Sequence, residues 1–349
     1  MGDSSKTVTV YTNATLQFQN ASNIWSKVVV LKDGSTIRGI NLNEFAGPVT
    51  LESGVVTALT GTGAKLTLDS AVGGAGGLTK TGGGSLVLSS ASTYAGPTLV
   101  SQGSIALINS GTMDSSTNIT LSAGTTLDLS ALASPTLAVT TGRGLAGSGT
   151  VVGNVTMATG STLTVGGSGT NSLGPLTVTN NLVLQAGSTS LMEVSKVGGV
   201  ASSDQVVATN VTYGGTLTVT GAGGGFVAGD TFKLFSAGSY GSSFNAINLP
   251  TNIVWNTTQL GANGTIQVVS VSVPHISGGL NTGTNFQVTF SGPAGNSYRV
   301  WASTNVLASP ITNTWTVVAS GVINGTGSVT AADNTATNYP MRFYLISVP

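Results

Sequence analysis

Apolar residues recur along this chain in short alternating runs separated by glycine-rich turns, and the runs themselves repeat. Leu66/Leu68, Leu86/Leu88, Ile105/Leu107 and Leu127/Leu129 are apolar-x-apolar pairs that start 20, 19 and 22 positions apart. The period of two within a run predicts β-strands. The period near 20 between runs predicts a solenoid, in which each coil buries its inward face by stacking on its neighbours. The stretch from Gly76 to Leu107 holds one coil and a half. Its strands are Ser85-Leu86-Val87-Leu88-Ser89 and Ser104-Ile105-Ala106-Leu107, and its turns are Gly82-Gly83-Gly84, Gly96-Pro97 and Gly103. Those are residues that admit positive φ or pre-set a bend.

The same texture extends in both directions. Before the central unit it gives Val8-Thr9-Val10, Ala14 to Phe18, Lys27 to Leu31, Val49-Thr50-Leu51 and Lys65 to Asp69. After it come Gly147 to Val155, Gly160 to Val165, Leu176-Thr177-Val178, Leu182-Val183-Leu184, Gly187 to Leu191, Ser203 to Val206 and Gly215 to Val219. Aromatic content then rises, and Phe226, Phe232, Phe235, Phe244 and Trp255 are expected to plug the end of the core, since an uncapped coil exposes strand edges. Near Val271 the pattern changes. Ser272-Val273-Pro274-His275 reads as a linker, and the remainder offers short alternating strands at Phe286–Phe290, Ser297–Trp301, Trp315–Val318, Gly327–Thr330 and Arg342–Ile346. Turns at Gly292-Pro293, Ser309-Pro310 and Asn324-Gly325 separate them, which suits a small β-sandwich of fibronectin-like size. The expected architecture is all-β: a right-handed parallel β-helix with an aromatic cap over 1–270, about a dozen coils, and a sandwich module over 271–349.

Composition sharpens this picture. Charged residues make up 6% of the 349-residue chain, against about 25% in ordinary domains. Yet 40% of residues are apolar, and 50 are glycine, so the chain is folded rather than disordered. Its polarity is carried by hydroxyls and amides, which can hydrogen-bond up a stack of coils without placing like charges together. Eleven basic residues balance eleven acidic ones, leaving no basic footprint for nucleic acid and no polybasic membrane signal. Cysteine is absent, so disulfides and thiolate metal sites are excluded. No apolar run is long enough for a membrane-spanning helix. The start, Met1 to Ser5, lacks the apolar core of a signal peptide, which reads as a mature fragment whose export signal has been removed.

At Gly77 to Leu88, Thr93 to Thr98 and Gly103 to Leu107 the residues spell G-L-T-K-T-G-x-G-x-L-x-L, T-Y-x-G-x-T and G-x-x-x-L. This pattern resembles the autotransporter-associated β-strand repeat of bacterial secreted and surface proteins, departing from it at Ser92, where Asn is usual. Gly147 to Val155 and Gly160 to Leu163 resemble further segments of the same family. Tyr298 to Asn305 and Arg342 to Ile346 resemble a C-terminal module found at the ends of such repeat proteins. The resemblance implies a scaffold without common catalytic residues, exported to the cell surface or the medium. Nothing here resembles the translocating barrel of autotransporters, so a different secretion route is implied.

Candidate chemistry is sparse. His275, the single histidine, lies in the expected linker, so a triad or histidine-based metal site would have to be built on one residue. Among the acidic residues, Asp114 with Asp128 and Asp33 with Glu52 have spacings that suggest neighbouring coils, where paired carboxylates could serve a glycosidase or a calcium-assisted lyase. Lone solvated charges are the expected outcome. The glycine-rich turns lack the Gly-Lys-Ser/Thr end of a phosphate loop and a following helix, and Lys80 reads as a solvated turn lysine. Tyr94, Trp25, Trp301 and Trp315 could stack on sugar rings, although Tyr94 packing on its own turn and Trp301, Trp315 and Phe343 forming the sandwich core are favoured.

The resulting expectation is a non-enzymatic structural or adhesin-like rod, secreted or surface-displayed, that presents or anchors its terminal module, with no cofactor and no metal. Its partners are extracellular polysaccharide, cell-surface components or further copies of itself. A polysaccharide-binding or polysaccharide-active β-helix is the first alternative, with acidic, basic and aromatic side chains gathered in one groove as its mark. A self-assembling filament or layer subunit is the second.

Overall fold

The architecture was examined in a computed structural model, which describes residues 6–21, 26–167, 172–223, 225–251, 253–271, 274–292 and 295–348. Trp25, the start Met1 to Ser5, the Ser272-Val273 part of the expected linker and Pro293 lie outside the described residues. The chain divides into two compact units, Met1–Pro250 with Asn256–Gln267, and Thr251–Trp255 with Val268–Pro349.

The first unit is a solenoid of parallel strands. Its first coils are three-sided. One side is the short sheet Val8–Val10, Val29–Leu31, Val49–Leu51 and Val72–Gly73. The other two sides are sheets of 12 strands each. One of these, here called the long face, passes from Thr15–Gln19 through Thr36–Ile40, Val55–Thr60, Gly77–Thr81 and Thr98–Val100 and on to Ala246–Asn248. The short side ends at Gly73, after which an isolated bridge between Ala91 and Thr112 marks its place.

Register follows the apolar pattern. Leu66 pairs with Leu86, Leu86 with Ile105, Ile105 with Leu127, Leu127 with Val151, and Val151 with Val178, and all six side chains are buried. A slip of one residue would turn this whole file outward, so its burial specifies the pairing. The coil lengthens along the chain: Ser101 donates to Lys80 O across 21 positions, whereas Thr209 donates to Thr179 O across 30. The extra residues are absorbed by longer strands such as Pro175–Leu184, which pairs with both Thr150–Val152 and Asn154–Met157 on one side and, with a register shift between Val178 and Asn181, with Gln205–Tyr213 on the other.

Hydroxyls and amides hold the corners. Ser35, Thr125, Ser161 and Ser188 each donate to the carbonyl three residues back, at 2.6–2.8 Å, so a glycine followed by Ser or Thr closes the turn before a strand. Asn154, Asn181 and Asn210 form a ladder, with amide-to-amide distances of 2.9 and 2.8 Å. Such ladders satisfy polar side chains between coils without charge, as the composition leads one to expect. In the last coils Tyr213 packs against Phe235 and Phe244 at ring-centroid distances of 5.0 and 4.7 Å. Its hydroxyl donates to Leu260 O, and Phe226 meets Phe232 edge-on.

The second unit holds two antiparallel three-stranded sheets. One orders His275–Asn281, Phe286–Ser291 and Ser328–Asp333; the other orders Thr316–Val322, Ser297–Ser303 and Phe343–Ser347. Val288, Phe290, Val300 and Ala331 form its core. His275 corrects the linker expectation: it pairs with Ser291 as the first residue of an exposed edge strand.

Candidate functional site

The repeat unit around Lys80 shows how this sequence uses polarity. In Leu78-Thr79-Lys80 the strand alternation puts Lys80 on the same face as Leu78, and that face is inward. Lys80 lies in the file Ala58, Lys80, Val100 and is 0% exposed, which corrects its reading as a solvated turn lysine. The small Ala58 leaves room for the stem. The ammonium donates to Thr81 O at 2.9 Å, Gly82 O at 2.7 Å and Gln102 O at 3.2 Å, matching its three protons to three carbonyls. Burial pushes its pKa down from 10.5 to about 8. A Cβ on Gly103 would stand 2.9 Å from Nζ, so the glycines of this turn make space for the cation. The signal was in the sequence: a lysine two residues from an inward leucine on one strand must share its face.

Tyr94 is also inside the coil, 1% exposed, and its face is not offered to a sugar. Its hydroxyl lies 2.6 Å from Thr98 Oγ1, which lies 3.0 Å from Ser116 Oγ, which donates to Gly96 O. Burial raises the phenol to about 12, against the opposing hydrogen bond to Thr98. Trp301 and Trp315 are buried in the second unit, with indole N–H groups donating to Ser347 Oγ and Ala308 O. Both tryptophans thus sit among the buried hydrophobics of the module, in which Val288, Phe290, Val300 and Ala331 form one cluster.

A concavity on the solenoid lies over the outward row of the long face. Thr120 and Ala146 face outward there in register, as do Ala146 and Thr164, and Thr164 and Leu191. Thr120, Ala146 and Thr164 line a depression of about 680 Å³ with Asn118, Ser122, Ser148 and Ser172. An adjoining recess of about 240 Å³ shares Thr164 and Gly167 and adds Glu193, Asp204, Thr218 and Thr220. Asp204 is 3% exposed and accepts from Gly174 N at 3.1 Å and Glu193 N at 2.7 Å. Desolvation is the main cause that lifts its pKa to about 6, opposed by those two amides and assisted by the Glu193 charge. The carboxylate thus ties three chain segments together, and Gly166 passes so close that a Cβ would sit 2.3 Å from Oδ1. No aromatic ring and no basic side chain is among the described residues lining these two recesses.

The anticipated carboxylate pairs are engaged elsewhere. Glu52 pairs with Lys32, and Asp33 accepts from Val55 N at 2.8 Å. Asp128 accepts from Ser130 N, while Asp114 is raised by desolvation and drawn back by Arg143. A different pair meets across coils: Asp69 is raised by burial and then by its hydrogen bond to Glu44. Spacing alone missed it because Glu44 registers with Thr67, two residues before Asp69. Among the described residues no group of three or more metal-ligating side chains converges, and no helix is long and apolar enough to cross a membrane.

Comparison with curated proteins returns no match. Residues 78–107, the unit built around Lys80 and Tyr94, match the family model described as the passenger-associated-transport-repeat, so this chain carries that repeat within an all-β fold of long parallel sheets.

Proposed function

We propose that the chain is a non-enzymatic scaffold, exported to the cell surface or the medium, whose solenoid presents the C-terminal module. The observation that carries this reading is the passenger-associated-transport-repeat seated within a continuous parallel stack. Within the matched stretch, Lys80, Tyr94 and the turn glycines are used for packing and turn closure. The outward face supports the same reading, because two of its recesses are lined mainly by small, hydroxyl and aliphatic residues while Asp204 serves as a tie between segments.

Antibodies raised against this chain should label intact cells of the source bacterium or detect the protein in the medium. Exclusive recovery from the cytoplasm overturns the export reading. A reducing-end assay across a panel of bacterial and plant polysaccharides should show no release, and release by the purified chain overturns the non-enzymatic one.

A further inference from the structure

The segment that follows Ser328–Asp333 in the second unit folds back on its own strand end. Asp333 is 2% exposed. Its Oδ1 accepts from Thr335 N at 2.9 Å and Thr335 Oγ1 at 2.7 Å, and its Oδ2 from Arg342 Nη1 at 2.6 Å and Tyr344 OH at 3.0 Å. Desolvation works to raise this carboxyl, but the Thr335 and Tyr344 hydrogen bonds and the Arg342 charge outweigh it and hold the pKa below the ordinary 3.8. The anchor fixes Arg342, which also donates to Thr335 Oγ1 at 2.7 Å and lies with its guanidinium carbon 4.3 Å from the centroid of the Tyr339 ring. Phe286 and Tyr344, from strands of the two different sheets, stack at 4.9 Å with an interplanar angle of 16°.

Phe286, Tyr339, Arg342 and Tyr344 line, with Asn281 and Thr337, a pocket of about 450 Å³, a size typical of small-ligand sites. Tyr339 is 43% exposed and Met341 59%, so the rim offers apolar area on a ring whose position is already fixed. Arg342 reaches the pocket wall while its side chain is only 8% exposed, with Nη1 held by Asp333 and Thr335 and Nε buried.

We infer that this pocket binds a neutral pyranose of an extracellular glycan. The Arg342 charge is cancelled at contact distance by Asp333, which disfavours a carboxylate or phosphate ligand. A sugar ring brings an apolar C–H face for Tyr339 and hydroxyl groups for the polar side chains of Asn281, Thr337 and Arg342 in the wall, the combination this pocket presents. Preorganisation by the buried anchor reduces the ordering cost of binding. The inference deepens the reading of the solenoid as a presenting scaffold and rests on it for the biological setting; the chemistry stands on the module alone.

The test uses the full chain on an array of neutral glucose, galactose and mannose oligomers and acidic glycans, with titration calorimetry on the hits. Neutral oligomers should bind, Tyr339→Ala should weaken binding at least tenfold, and Tyr339→Phe should retain it, with all three proteins melting together because the ring is partly exposed. Silence across the neutral glycans overturns the inference. So does binding unchanged in Tyr339→Ala, or binding confined to acidic glycans. The scaffold reading fails separately, through cytoplasmic retention.

Discussion

Lys80→Met is the substitution that most directly tests how the repeat is held together. Methionine keeps the length of the stem and its packing between Ala58 and Val100 while removing the three donors. Hydrogen bonds to a charged group contribute about 1.5–3 kcal/mol each, so three lost bonds cost about 5–9 kcal/mol. Against this, Met ends the desolvation of a cation whose pKa is lowered from 10.5 to about 8, returning about 3 kcal/mol at 1.36 kcal/mol per unit. The expected net destabilisation is about 2–6 kcal/mol. Solenoids need not unfold in one step, so urea denaturation should be accompanied by amide exchange at Thr81–Ser85 and Gly103–Ser104, where protection should fall first. The pH dependence has a definite sign. Between pH 8 and 10.5 the unfolded chain keeps the Lys80 proton and the folded chain releases it, so the unfolded state binds more protons and stability rises with pH. Wild type should therefore gain on Lys80→Met across that window. A Lys80→Met protein within about 0.5 kcal/mol of wild type, with unchanged exchange in those turns, would falsify the stabilising role of the Lys80 hydrogen bonds.

Two further perturbations separate backbone fit from charge. Gly147 has φ +110°, and a Cβ there would lie 2.0 Å from Leu121 O, whereas Gly124 has φ +75° with nothing within 4 Å. Gly124→Ala should cost about 1–2 kcal/mol of left-handed strain, and Gly147→Ala substantially more because the coils must part; equal losses in thermal melts would refute the close-approach argument. Asp333 is held below its ordinary pKa of 3.8, so its contribution is present above that value and is lost as pH falls through the lower folded value. Near-ultraviolet dichroism of Trp301 and Trp315 should follow the loss on acidification, and Asp333→Asn should abolish that dependence.

Much of the fold was legible because two periods coexist in the sequence. The alternation at Leu86/Leu88 and the recurrence at Leu66, Leu86 and Ile105 fixed both strand and register, and the observed pairing uses those residues. The end of the short third sheet after Gly73 was not legible, since runs such as Val8–Val10 and Val49–Leu51 read as strands without any mark that assigns them to a separate side of the coil. The site was legible to a lesser extent. Tyr94 and Lys80 stood out as motif residues, but polarity alone suggested water for Lys80 where strand parity placed it inward. The Arg342 cluster depends on a fold-back that brings Asp333 and Thr335 to a residue seven to nine positions on. No spacing rule for strands anticipates that return.

Polarity inside a solenoid has a consequence that apolar packing lacks. Coils with interchangeable leucines could in principle pair with any other coil, and shifting the stack by one coil would leave Leu66, Leu86 and Ile105 equally well buried. Lys80 removes that freedom. Its ammonium needs the carbonyls of Thr81, Gly82 and Gln102 and a small neighbour such as Ala58, and a slipped stack would bury the charge against a leucine or valine. The Tyr94–Thr98–Ser116 relay imposes a second condition in the next coil, and the Asn154–Asn181–Asn210 ladder a third further on. Each feature belongs to particular coils rather than to every coil. Together they select one pairing from a set that hydrophobic burial alone leaves nearly degenerate.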